Sequence, residues 1–164
     1  MRGQSGQEAG LRLWWWSPAG DVRPAVESGG ESQVALAGHG AGIAPSDIAV
    51  RARFNTLTGK LADRIAAAGV PVVRVRDGEP DSAVGVRVST LHSMKGLEYR
   101  CVAVTGATAS AFPFPPAVTT ADVDGIQHAT DLAAERCLLF VACTRAREAL
   151  YVSYSGRGSE FLPG

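Results

Sequence analysis

Apolar and polar positions change period several times along this chain, and each change marks a boundary between elements. Asp47-Ile-Ala-Val-Arg-Ala-Arg-Phe is short and β-branched, the pattern of a strand. Leu57, Leu61, Ile65 and Ala68 then recur at helical spacing, with Asn55 or Thr56 placed to cap the start and Gly69 to end the helix in the left-handed conformation. Val70 to Val75 predicts a second strand, Asp77-Gly-Glu-Pro a turn, and the alternation from Val84 to Thr90 a third strand. Cys101 to Thr105 is a further strand. Gly106 to Pro116, dense in alanine and proline and holding Phe112-Pro-Phe-Pro-Pro, predicts a loop. Ala133, Cys137, Phe140 and Thr144 mark one face of a helix beginning near Asp131, and Ala149 to Ser155 predicts the last strand.

Strands alternating with helices predict an α/β fold, a mainly parallel sheet with helices on both faces. Such sheets collect ligands at the carboxyl ends of their strands. The expected domain spans residues 43–156, followed by a short tail at 157–164. Residues 1–42 form an irregular N-terminal segment that reads as tail or linker. Within it, Leu11 to Trp16 predicts a strand, a reading preferred over a docking patch of Trp14, Trp15 and Trp16 for a partner domain. A short helix is expected from Glu31 to Ala37, ended by Gly38 and Gly40.

Composition narrows the field of functions. The 164 residues suffice for one domain with a real core, and 16 basic residues balance 16 acidic ones. A generally basic surface is therefore not indicated, and any phosphate contacts must come from local placement. The basic set is 14 arginines with only Lys60 and Lys95, so every lysine-dependent motif can be checked at two positions. No stretch approaches the ~20 apolar residues of a membrane span, and Met1 to Gly10 lacks the apolar run of a secretion signal. No membrane partner and a cytoplasmic location are the resulting expectations. Cys101, Cys137 and Cys143 lie in apolar segments without Cys-x-x-Cys spacing and are expected as buried hydrophobes; no metal site is expected.

The chemistry is concentrated in two segments. Thr90-Leu-His-Ser-Met-Lys-Gly-Leu-Glu-Tyr-Arg-Cys-Val-Ala-Val lies between two predicted strands and resembles the fifth conserved motif of UvrD/Rep-type superfamily I DNA helicases. Glu135-Arg-Cys-Leu-Leu-Phe-Val-Ala-Cys-Thr-Arg-Ala-Arg-Glu resembles their sixth motif, and Ile48-Ala-Val-Arg-Ala-Arg-Phe-Asn their weaker fourth. The likeness covers about Ile43 to Ser155 and implies a RecA-like second motor domain, the C-terminal half of such a helicase. It implies that Thr90 and His92 face single-stranded DNA, that Gly96 lets backbone approach a nucleotide, and that Glu98 accepts a hydrogen bond from its ribose. Arg53 and Arg145 would reach the γ-phosphate from across a domain interface as the catalytic arginines, a role suited to a planar fork that stays charged.

Taken singly, the same residues have plainer readings. Arg53 at a strand end suits an ion pair, His92 a loop or core histidine, Glu98 a pair with Lys95, and Arg145 a complement to a helix dipole. Their joint occurrence in ordered motifs favours the functional reading. A phosphate-binding loop, Gly-x-x-x-x-Gly-Lys-Ser/Thr, is missing: Lys60 is followed by Leu61 with Phe54 at the first glycine position, and Lys95 follows Met94. No Asp-Glu pair ends an apolar strand to hold Mg²⁺. ATP and Mg²⁺ would thus be shared with a first RecA-like domain supplied in trans or lost by truncation, and the chain would not hydrolyse ATP alone. Between the fourth and fifth motifs, where larger members of the family insert an accessory domain, this chain has only about Val75 to Val84, the mark of a short-linker member. Two other readings compete: a non-catalytic module that binds single-stranded DNA or a helicase partner, and an unrelated nucleotide-binding α/β domain, against which stands the absence of a glycine-rich fingerprint.

Overall fold

The computed structural model describes residues 11–16, 22–26, 42–75, 84–93 and 96–162. The elements are β1 (Leu11–Trp16), β2 (Val22–Val26), β3 (Ile48–Ala52), α1 (Asn55–Ala67), β4 (Val72–Arg74), β5 (Val86–Thr90), β6 (Tyr99–Thr105), α2 (Gly125–Cys143) and β7 (Ala146–Ser155). One sheet joins the strands in the order β2-β1-β7-β6-β3-β5-β4. The five strands from β7 to β4 are parallel, while β1 runs antiparallel to β7 and β2 antiparallel to β1. The expected α/β architecture is present, and Leu11–Trp16 is a strand of its sheet. β2 falls where a tail or linker was expected; it contains Pro24, whose missing donor is tolerated at the sheet edge.

The centre of the sheet explains the apolar runs. All five residues of β3 are buried, as a parallel strand covered on both faces requires. Ile48, Val50 and Ala52 pack with Leu61 and Ile65 of α1, whereas Ala49 joins Val102, Val104, Phe112 and Leu139 beneath α2. Helices therefore cover both faces. Gly69 ends α1 with φ +80°, as its position predicts.

Three local expectations need correction. Neither Asn55 nor Thr56 caps α1: Phe54 holds the cap position without a side-chain bond, its ring set against Phe114 at 5.2 Å. A tertiary aromatic contact has replaced the local polar cap. The second helix starts at Gly125, before Asp131, because Asp124 Oδ1 accepts from the amides of Ile126 and Gln127, both at 2.9 Å. Its inward face is also different, formed by Glu135, Leu139 and Ala142, while Phe140 is 66% exposed and Cys137 is exposed. The helix carries two roughly opposite apolar stripes, and the one containing Glu135 faces the sheet because that carboxylate finds a buried partner there. Cys101 is buried and Cys143 half-buried, so Cys137 alone departs from the expected burial. The short helix expected at Glu31 to Ala37 and the turn at Asp77 to Pro80 lie outside the described residues.

Candidate functional site

The sequence-predicted site residues separate onto the two ends of the parallel strands. Ala52 of β3 lies beside Thr90 of β5 and Thr105 of β6, which defines the carboxyl edge. Tyr99 of β6 lies beside Ala146 of β7 at the opposite, amino edge. From Tyr99 to Thr105 the strand rises ~3.3 Å per residue, so the edges are about 20 Å apart. Arg53, Thr90 and His92 belong to the carboxyl edge. Glu98 and Arg145 lie at the amino edge, Glu98 immediately before β6 and Arg145 immediately before β7, and Gly96 lies on the connection that leads from the β5 end to the start of β6.

At the carboxyl edge a cleft of about 650 Å³ is bordered by Arg53, Asn55, Arg74, Thr90, His92 and Ser93. Leu91, buried in the core, anchors a single 3-10 turn and leaves His92 exposed beside it. Thr90 Oγ1 and Ser93 Oγ share a hydrogen bond at 3.1 Å, which fixes the wall of hydroxyls. Arg74 forms an ion pair with Asp63 at the far lip. Hydroxyls, an amide, an imidazole and guanidinium groups line the cleft, a set that suits a sugar-phosphate strand. Asn55 and Ser93 were not predicted here; Asn55 was expected, with Thr56 as the alternative, as a helix cap, and the fold brings it to the same cleft as Thr90.

Arg53 is held firmly. Its Nη1 and Nη2 donate to Glu135 Oε2 and Oε1 at 2.6 and 2.9 Å, and its guanidinium lies 5.2 Å from the Phe112 ring centre and 5.0 Å from that of Phe114. Glu135 Oε2 also accepts from the Phe114 amide at 2.8 Å. Both charged residues are buried, Arg53 to 8% exposure and Glu135 to 7%. The pair satisfies the two-point, fully hydrogen-bonded geometry that a buried ion pair needs. Glu135 stands first in the quoted helix motif, yet its partner is 82 residues away and invisible to local spacing. A shared γ-phosphate role for Arg53 and Arg145 would require guanidinium groups from opposite edges of the sheet.

At the amino edge Arg145 follows the C-cap of α2, Thr144, and its carbonyl accepts from the Tyr99 amide at 3.0 Å. Its Nε is buried with no hydrogen-bond partner, and Glu98, the residue before Tyr99, is exposed. Gly96 has φ +69°, and nothing lies within 4 Å of the place a Cβ would take, so this backbone is both glycine-dependent and open to close approach. Lys95 lies outside the described residues. Nearby, Arg100 grips Glu148 through Nε at 2.7 Å and Nη2 at 2.9 Å, which holds the Glu148 carboxyl below its ordinary range. These residues fit one wall of a nucleotide site, offering an exposed carboxylate acceptor, a half-buried guanidinium and bare backbone. Among the described residues no group of three His, Cys, Asp or Glu is arranged to hold a metal by itself.

Comparison with known proteins follows the same segments. Residues 75–157, half of the chain, match the model of the UvrD-like helicase C-terminal domain. The chain belongs to this family. It is 40% identical over 97 residues to the ATP-dependent DNA helicase UvrD1 of Mycobacterium tuberculosis, covering 58% of this chain and 11% of that protein. It is 38% identical over 77 residues to the ATP-dependent DNA helicase PcrA of Staphylococcus aureus, covering 47% of this chain and 10% of that protein. The chain thus spans about a tenth of the length of these relatives. The crystal structure of the C-terminal domain of a possible DNA helicase from Lactobacillus plantarum superposes with a TM-score of 0.54 at 22% identity, over 80% of this chain and 70% of that one. That likeness establishes the shared α/β, RecA-like fold of the family's C-terminal domain. No helix among the described residues is long and apolar enough to cross a membrane.

Proposed function

We propose that this chain is the C-terminal motor half of an ATP-driven DNA helicase, forming one wall of the ATP site and one side of a single-stranded DNA track. The observation that carries the proposal is the separation of the two residue sets onto opposite edges of one sheet. Glu98, Gly96 and Arg145 serve the nucleotide: Glu98 takes a ribose hydroxyl, Gly96 admits backbone approach, and Arg145 offers its fork to the γ-phosphate as charge develops during transfer to water. Thr90 and His92, with Asn55 and Ser93, serve the DNA. Arg53 stands in the wall of the DNA cleft, engaged with Glu135. The phosphate-binding loop and any Mg²⁺ ligands come from a first motor domain, since no phosphate-binding loop occurs in these 164 residues.

Binding of fluorescent oligo-dT to the purified chain tests the DNA half of this reading. The chain should prefer single strands over duplex, and added salt should weaken binding with a shallow slope, because few cations line the cleft. His92→Ala should lower affinity. A preference for duplex, or equal affinity of wild type and His92→Ala, would remove the cleft from the DNA track.

A further inference from the structure

The buried Arg53–Glu135 pair joins the two edges. Arg53 belongs to the wall of the carboxyl-edge cleft, and Glu135 lies within α2, which runs on to the amino edge and delivers Arg145. From Glu135 to Cys143 the helix advances eight residues, about 12 Å at ~1.5 Å per residue. We propose that Glu135 is a positioning residue that couples occupation of the DNA cleft to the placement of Arg145, with α2 as the rigid link. This inference rests on the DNA reading of the cleft given above.

Four observations support it. Both Arg53 nitrogens that face the carboxylate are engaged, so the guanidinium cannot shift without drawing Glu135 with it. Phe112 and Phe114 lie against the guanidinium and leave it little room to swing free. The same carboxylate accepts the Phe114 amide, so one group fixes the strand end, the helix and the proline-rich loop together. Finally, Leu91, under the His92 turn, packs in the same cluster as Leu139, one helical turn beyond Glu135, so both cleft walls rest on α2. Packed side chains, a hydrogen-bonded ion pair and a rigid helix are the parts through which distant sites couple when those parts can take up two arrangements, and the DNA-free and DNA-bound states are the two arrangements the proposal requires.

The experiment is a titration of the ¹⁵N-labelled chain with oligo-dT, following the backbone amides of His92 and Arg145. In the wild type both resonances should move. In Glu135→Gln, saturated with the same oligonucleotide, His92 should still move while Arg145 stays at its free position. A merely structural role for Glu135 would alter melting temperature but leave both resonances responding, and that result would overturn the inference. If Glu135→Gln does not fold, Arg53→Lys decides by the same readout: it keeps the charge, loses the fork, and should likewise silence Arg145. A wild type that shows no shift at His92 or Arg145 at any oligonucleotide concentration overturns the DNA reading itself and the coupling with it. A wild type in which His92 alone moves overturns only the coupling.

Discussion

The amide of Tyr99 donates to the carbonyl of Arg145 at 3.0 Å, so the residue after Glu98 and the arginine at the end of α2 share one hydrogen bond. Two motif segments more than 40 positions apart thereby converge, and Arg145 is placed by backbone pairing rather than by its own side chain. In an assembly that includes a first motor domain, Arg145→Lys should cut DNA-stimulated ATP hydrolysis while nucleotide affinity changes much less. A finger acting on the transition state is worth ~10³ to 10⁵ in rate, whereas an exposed ion pair contributes at most about 1 kcal/mol to stability. Steady-state hydrolysis and nucleotide titration on the same assembly check this. Turnover within a few-fold of wild type would return Arg145 to a helix-end structural role.

Gly85 presses against the neighbouring strand. A Cβ there would lie 2.9 Å from the Pro71 carbonyl carbon and oxygen and 3.0 Å from the Val72 nitrogen, all backbone atoms. The Val86 amide already donates to the Pro71 carbonyl at 2.8 Å, so this backbone cannot retreat without loosening β4 from β5. Gly85→Ala should cost about 1–3 kcal/mol. Gly59→Ala, in the interior of α1 with nothing within 4 Å of its added Cβ, should gain ~0.5–1 kcal/mol. Thermal melts of the two variants should move in opposite directions, and a shift of the same sign would contradict the argument.

Much of this fold was legible because its strands are short apolar runs set off by glycine and proline. β3, α1, β5, β6 and β7 lie close to where periodicity predicts them. What local pattern missed was decided by distant partners. Phe54 replaces Asn55 at the cap of α1 because Phe114 is there to meet it, and α2 turns its Glu135 stripe inward because Arg53 waits beneath. The motif residues were legible as a set. Their division between two edges was not, since strand order and direction emerge only from the pairing of β6 with β3 and β7.

Acid should loosen the start of α2. Asp131 accepts from the Thr119 amide at 2.8 Å and from Gln127 Nε2 at 2.7 Å, and these bonds, the amide foremost, hold its carboxyl below the ordinary 3.8. A depressed carboxylate contributes stability that is fully present above its unfolded pKa and is lost as pH falls through the folded value. Wild type should therefore melt above Asp131→Asn at neutral pH, with the gap closing below about pH 4. A gap that stays constant down to pH 2 would show that the contacts do not depend on the charge.

Two arginines on one face of β3 and its extension should respond in opposite ways to the same change. Arg51 is 2% exposed, donates to Ser89 Oγ and lies 5.3 Å from the Tyr99 ring centre, but no carboxylate meets it among its described contacts. Its Nε has no partner, the Tyr99 hydroxyl is likewise unsatisfied, and burial pulls its guanidinium below the usual range. An apolar side chain of similar length removes that desolvation cost, so Arg51→Met should leave stability within about 1 kcal/mol of wild type or raise it. Arg53→Met is different, because it strands the Glu135 carboxylate, which retains only the Phe114 amide among the donors shown. Breaking one side of a buried pair costs ~3–5 kcal/mol. Chemical denaturation of both variants distinguishes the cases: if Arg51→Met loses as much stability as Arg53→Met, Arg51 must be satisfied by a buried partner such as an ordered water, and its unpaired Nε would not be a cost.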